Sequence, residues 1–299
     1  METPDRTRRA HLRSLGEHLT PMMIQQTQTF FAASFKGLDS DLLIGRDLRY
    51  GPHERHRLDI FRKNETCNAP VLVYVHGGGF VMGDKQLPGL PFYDNVGDFA
   101  ARSAMVGVTL NYRLAPADRW PSGPEDMAGA IAWLRENIGA YGGDPDRIFL
   151  MGQSAGAVHV ASYIAHKAFH PPAGPGLAGA LLISGLYDIA AAETNDFNKA
   201  YFGEDDAAYS ARSTLQGLID TDISLLATIS EFDIPDFQKQ AAAFVSAYAG
   251  RHGRFAPMLR LSGHNHLSPA LEIGSPGSAL EDAVTAFIAA QTAPAAGEE

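Results

Sequence analysis

The chain reads as an α/β protein, a mostly parallel eight-stranded sheet with helices on both faces. Three observations lead there. Eight short apolar or alternating runs recur, at residues 46–50, 56–61, 71–75, 105–110, 148–151, 180–184, 223–229 and 255–261. Helical stretches separate most of them, and strand–helix alternation implies parallel strands joined by right-handed crossovers. The clusters of chemically capable residues all stand at the C-terminal ends of these runs, where open α/β sheets place their sites. The first two runs lie too close together for a crossover and are expected to pair antiparallel. Residues 124–138 illustrate the helical pattern, with Met127, Ile131, Leu134 and Ile138 on one face.

Composition sets bounds. A length of 299 residues with 45% hydrophobic content is enough for one large domain with a substantial core. Cys67 is the single cysteine, so no intramolecular disulfide forms, and its polar surroundings mark it as a bystander near a turn. The first dozen residues are charged and lack the apolar segment of a signal peptide. There is no apolar run of the roughly 18 residues that suggest a membrane span. The expectation is a soluble, cytoplasmic protein. A net charge of −10 disfavours nucleic acid and anionic membrane surfaces as partners. The tail, residues 293–299, reads as disordered.

Gly152-Gln153-Ser154-Ala155-Gly156 is the most informative segment. It fits G-x-S-x-G, in which a strand turns sharply into a helix and presents one serine hydroxyl above a sheet. The flanking positions must be small because backbones approach closely there. The apolar run before it and the helical spacing of Val158, Ala161, Ser162 and Ala165 after it supply the required context. Upstream, His76-Gly77-Gly78-Gly79-Phe80 follows the run at 71–75. Backbone N–H groups of such a glycine-rich loop can point at a developing oxyanion with no side chain in the way.

These segments, with Asn111-Tyr112-Arg113-Leu114-Ala115-Pro116 and Gly142-Gly143-Asp144-Pro145, resemble the hormone-sensitive-lipase-like carboxylesterases of the α/β-hydrolase superfamily. The resemblance spans roughly residues 46–288. It implies Ser154 as nucleophile, an oxyanion hole made by the N–H groups of Gly78, Gly79 and Ala155, and His76 bracing the loop rather than reacting. It implies no cofactor and no metal. Relatives often dimerise through the last strand and its helix; the sequence leaves the oligomeric state open between monomer and homodimer.

A serine hydroxyl needs a base, and the base needs an orienting acid, in the chain order Ser, Asp or Glu, His. After the run at 223–229, Glu231, Asp233 and Asp236 compete for the acid. Family members carry E-x-D-P-L here, which favours Asp233, although Ile234-Pro235 replaces Pro-Leu. For the base, His264 and His266 both follow the last run. Related hydrolases place an apolar and then a small polar residue after the histidine, which favours His266. The H-x-H spacing also suggests metal ligation, but no cysteine or carboxylate cluster accompanies it. The other histidines, His159 among them, read as surface or packing residues.

Two segments fall outside the alternation. Residues 1–41 carry Met22, Met23, Phe30, Phe31 and Phe35, and residues 190–221 carry Phe197, Tyr201, Phe202 and Tyr209. In the resembled family both positions contribute to a cap. The second is short for a lid, which suggests an open pocket. The expected activity is hydrolysis of short to medium acyl esters by a serine hydrolase acting on small molecules. Amide hydrolysis, as by an arylformamidase, is the alternative, because the same triad serves both. A hormone-receptor role on this fold would require a broken triad, and all three residues are present.

Overall fold

The computed structural model describes residues 4–292; the tail at 293–299 lies outside the described residues. One sheet of eight strands organises them, in the order β1-β2-β4-β3-β5-β6-β7-β8. The strands are β1 (Leu43–Arg49), β2 (Arg57–Arg62), β3 (Ala69–Val75), β4 (Val106–Leu110), β5 (Gly143–Gln153), β6 (Gly179–Ile183), β7 (Leu225–Phe232) and β8 (Met258–Asn265). The pairs β1–β2 and β2–β4 are antiparallel and every other pair is parallel. The expected fold class is what the structure has.

Helices fill the connections: α1 (Pro4–Ser14), α2 (Pro21–Ser34), α3 (Asp94–Arg102), α4 (Ser122–Asn137), α5 (Ala155–Ala165), α6 (Asp196–Phe202), α7 (Tyr209–Arg212), α8 (Leu215–Ile219), α9 (Pro235–His252), α10 (Ser268–Glu272) and α11 (Ala279–Thr292). Successive side chains on a strand point to opposite faces, so a centrally placed strand must be apolar throughout. Val71, Val73, Ile148, Leu150 and Leu182 enter a core against α4 and α5. Their neighbours Leu72, Tyr74, Phe149, Met151, Leu181 and Ile183 enter a second core against α3 and α11. This two-sided burial is why these strands read as continuous apolar runs rather than alternating ones.

The sequence and the structure differ at strand ends. The run at 255–261 mislocates β8: Phe255 is 70% exposed, while the polar residues to Asn265 belong to the strand because Asn265 pairs with Phe232. Likewise β7 continues to Phe232, past a register shift between Ser230 and Phe232. β5 starts earlier than its apolar run, at Gly143, which pairs with Ala69. Cross-strand pairing decides each of these boundaries, and pairing leaves no mark on local hydrophobicity.

α5 packs so tightly behind β3 that a Cβ on Gly156 would lie 2.1 Å from the Val75 carbonyl oxygen. Gly156→Ala should therefore cost ~1–3 kcal/mol as an overpacking change, read as a lower denaturant midpoint. Gly129, inside α4, has no atom within 4 Å of its Cβ position. Gly129→Ala should raise the midpoint, by about 0.5–1 kcal/mol of helix propensity.

Candidate active site

Ser154 sits between the end of β5 and the start of α5 with φ 55° and ψ −121°. A non-glycine residue with positive φ costs of order 1–3 kcal/mol and persists only where the surroundings impose it. Here they do. A Cβ on Gly152 would stand 2.4 Å from the Gly156 carbonyl oxygen, so the turn closes on itself. The Ser154 N–H donates to the Ile183 carbonyl at 2.9 Å, pinning the turn to the neighbouring strand.

The HGGG loop leaves β3 beside this turn. A Cβ on Gly77 would stand 3.2 Å from Ser154 Cβ, so loop and serine are in direct contact. Gly78 and Gly79 have φ 129° and 57°, and a Cβ on Gly78 would overlap the Met82 carbonyl oxygen at 2.0 Å. Among the described residues no backbone carbonyl accepts the N–H of Gly78, Gly79 or Ala155. These three donors lie on the segments that meet at Ser154.

The NYRLAP segment after β4 braces the loop, a role the sequence did not specify. Tyr112 Oη donates to the His76 carbonyl at 2.8 Å. Arg55 donates to the carbonyls of Tyr112 and Gly83 at 2.8 and 2.9 Å. The Ala115 N–H donates to the Phe80 carbonyl at 2.9 Å. Arg113 is anchored by Asp126 at 2.7 Å. His76 stacks on the Tyr112 ring, and its Nδ1 lies 2.6 Å from the Gly77 carbonyl oxygen.

His266 follows β8 directly. Its Nε2 lies 2.8 Å from Ser154 Oγ and its Nδ1 lies 2.7 Å from Asp233 Oδ1. Asp233 is fully buried and its second oxygen accepts from Ser184 Oγ at 2.5 Å and from the Ser230 N–H at 3.2 Å. The Ile234 N–H adds a bond to Oδ1 at 2.9 Å. The structure thus brings together Ser154, Asp233 and His266 in one hydrogen-bonded line. Phe237 packs edge-on against the imidazole at 4.5 Å between ring centroids.

The competing residues are engaged elsewhere. Glu231 accepts from Arg9 of α1 and, at 2.7 Å, from the Gly263 N–H. Asp236 accepts from the Glu193 N–H at 3.0 Å. His264 turns away from Ser154: its Nδ1 meets Ser268 Oγ at 2.9 Å and its Nε2 lies 3.2 Å from Glu272 Oε2. His159, expected at the surface or in packing, is fully buried among Phe80, Tyr112 and Tyr201.

Several contributors carried no sequence signal. Gln153, the variable residue of the elbow motif, donates to the His266 carbonyl at 2.9 Å and accepts from Tyr74 Oη at 2.7 Å. Ser184, just past β6, bonds Asp233, and Asn265, the last residue of β8, stands next to His266. Only the fold assembles them; no spacing rule finds them.

A family profile described as the alpha/beta hydrolase fold matches residues 72–248. The chain belongs to this family. Among curated relatives, it is 37% identical over 158 residues to Esterase LipQ of Mycobacterium tuberculosis, covering 49% of this chain and 36% of that one. It is 40% identical over 112 residues to the para-nitrobenzyl esterase of Bacillus subtilis, covering 34% and 22% respectively. This α/β-hydrolase chain spans well under half the length of the curated relatives it matches. Among solved structures, Esterase B of Lactobacillus rhamnosis aligns with TM-score 0.74 at 15% identity, over 96% of both chains. The hyperthermophilic esterase of Pyrobaculum calidifontis aligns with TM-score 0.69 at 20% identity, over 97% of both chains. A further neighbour, an esterase of the bacterial hormone-sensitive lipase family, aligns with TM-score 0.68 at 20% identity, over 97% of this chain and 98% of its own. The resemblance carried by HGGGF, NYRLAP, GGDP and GQSAG agrees with this family placement.

Two buried imidazoles near the site make an acid-stability prediction. Burial lowers the pKa of His76 to about 4 and that of His159 to about 3. An unfolded histidine titrates near about 6.5, so in this window the unfolded chain binds more protons than the fold. Stability is fully present above about 6.5 and is lost as the pH falls toward these folded values. Denaturant midpoints should drop markedly between pH 7 and pH 4.5, and His159→Leu should flatten that dependence. Equal slopes for the variant and the parent would contradict it.

Proposed function

We propose that this α/β-hydrolase is a serine carboxylic-ester hydrolase acting on short to medium acyl esters. The observation that carries the reading is the unbroken hydrogen-bonded line from Asp233 through His266 to Ser154 Oγ, at 2.7 and 2.8 Å. His266 Nε2 takes the proton from Ser154 Oγ as the oxygen attacks the ester carbonyl. Negative charge gathers on the carbonyl oxygen, and the N–H groups of Gly78, Gly79 and Ala155 receive it. Asp233 holds Nδ1 protonated and stabilises the imidazolium. The imidazolium returns the proton to the departing alkoxide, leaving an acyl-serine. Water, activated by the same imidazole, then releases the acid.

Two further observations support a wall around the reacting centre. A Cβ on Gly79 would lie 2.9 Å from the ring of Phe197, which is 46% exposed on α6, within the segment read as a cap. Phe237 covers the imidazole. Both point to an apolar acyl or alcohol group. The names of the relatives, esterases and a carboxylic ester hydrolase, favour esters over amides. Among the described residues no helix is long and apolar enough to cross a membrane. A cytoplasmic location and a homodimer through β8, the last strand of the sheet, complete the proposal.

Ser154→Ala should lower kcat on p-nitrophenyl butyrate by about 10⁴–10⁶ without changing the thermal midpoint much. Asp233→Asn and His266→Ala should be similarly inactive. Asp236→Asn, which only trims a backbone contact, should keep most activity. A Ser154→Ala enzyme with a tenth of parental turnover would mean another nucleophile is at work.

Across p-nitrophenyl esters from acetate to dodecanoate, kcat/KM should peak at the short end, because the segment over the site is short. Faster turnover of dodecanoate than of butyrate would overturn the substrate range while leaving the triad untouched.

A further inference from the structure

The loop that carries His266 is a tight turn organised by the residue before it. Asn265 is fully buried, and its Oδ1 accepts from the N–H groups of Leu267 and Ser268 at 3.1 and 3.0 Å. This closes the backbone around His266, in the manner of Asx turns. The Ser268 hydroxyl returns the contact, accepting from the Asn265 N–H at 3.0 Å and meeting His264 Nδ1 at 2.9 Å. On the far side Gln153 fixes the His266 carbonyl.

That turn is fastened to a segment distant in sequence. Asn265 Nδ2 donates to Thr27 Oγ1 of α2 at 2.8 Å, with Met23 Sδ at 3.6 Å. Thr27 is itself fully buried. A buried amide that loses its acceptor pays the desolvation cost of an unpaired donor, so this bond holds the asparagine in one orientation. A second tie runs in parallel, from Arg8 of α1 to Glu272 beside His264.

We propose that Thr27 is a positioning residue for the reaction, acting through Asn265 to hold the His266 imidazole in line with Ser154. This rests on the ester-hydrolase reading of the site. The N-terminal helices then do more than cover the centre: they set the backbone of the base. A displacement of the imidazole on the order of 1 Å is enough to cost up to about a hundredfold in rate, whereas substrate binding does not depend on that alignment.

The test is a cycle on the full chain, with kcat normalised to active sites titrated by a fluorophosphonate. Thr27→Val keeps the shape and deletes the acceptor; it should lower kcat on p-nitrophenyl butyrate by about tenfold with KM within about twofold. Thr27→Ser should restore kcat. Asn265→Ser keeps an oxygen for the turn and removes the amide arm that reaches Thr27. The loss for the Thr27→Val/Asn265→Ser pair should be no larger than that of the worse single variant, since both remove one bond. Val284→Ala, a packing change on α11 in the core away from the site, should lower the thermal midpoint and spare kcat. The proposal is overturned if Thr27→Val keeps parental kcat, if the two losses multiply, or if Val284→Ala loses kcat in proportion to stability. A parent chain with no esterase turnover would instead remove the functional reading itself.

Discussion

The close approach of three backbones around Ser154 is the constraint from which the rest of the site follows. The serine is held at φ 55°, the Gly152 and Gly156 positions admit no Cβ, and Gly77 lies against the serine side chain. Strain of that kind survives only where the neighbours are rigid. Here the neighbours are β3, β5 and β6 at the centre of the sheet, buried on both faces. The central strands are therefore what holds the hydroxyl in place, and the loops need only bring partners to it.

Those partners arrive in two different ways. The HGGG loop comes from β3, next to β5 in the sheet, and is stiffened by Tyr112 and Arg55 from the antiparallel side. Asp233 and His266 come from the ends of β7 and β8 on the opposite side of β5. Each set is braced from its own flank, and Gln153 crosses between them by holding both the His266 carbonyl and Tyr74. The side chains and N–H groups that meet at Ser154 are thus held from both sides of one strand.

How much of this was legible follows from which forces act locally. The strand order of apolar runs, the elbow and the HGGG loop were readable, because two-sided burial and close backbone approach restrict residue type at each position. Strand ends were not, as β8 shows: its last residues are polar and belong to it only through the Phe232–Asn265 pairing. The choice between His264 and His266 rested on resemblance, since two histidines two apart beyond the last apolar run have the same local chemistry. Burial against Ser268 and Glu272 separates them in space. Ser184, Asn265 and Thr27 were silent, because a serine, an asparagine and a threonine have many ordinary uses and only tertiary contact shows which one applies.

The three carboxylates after β7 explain why sequence left the acid ambiguous. Each is used, and each faces a different layer. Glu231 points to α1 through Arg9 and to the β8 backbone through Gly263. Asp233 points into the sheet end, where Ser184 and two N–H groups leave it no freedom to turn. Asp236 points to the segment at 190–221 through the Glu193 N–H. Burial of a carboxylate is costly unless hydrogen bonds satisfy it, and Asp233, fully buried with four such partners, is the one whose surroundings meet that condition completely. The chain around this strand end thus meets the N-terminal helices through Glu231, His266 through Asp233 and the segment at 190–221 through Asp236.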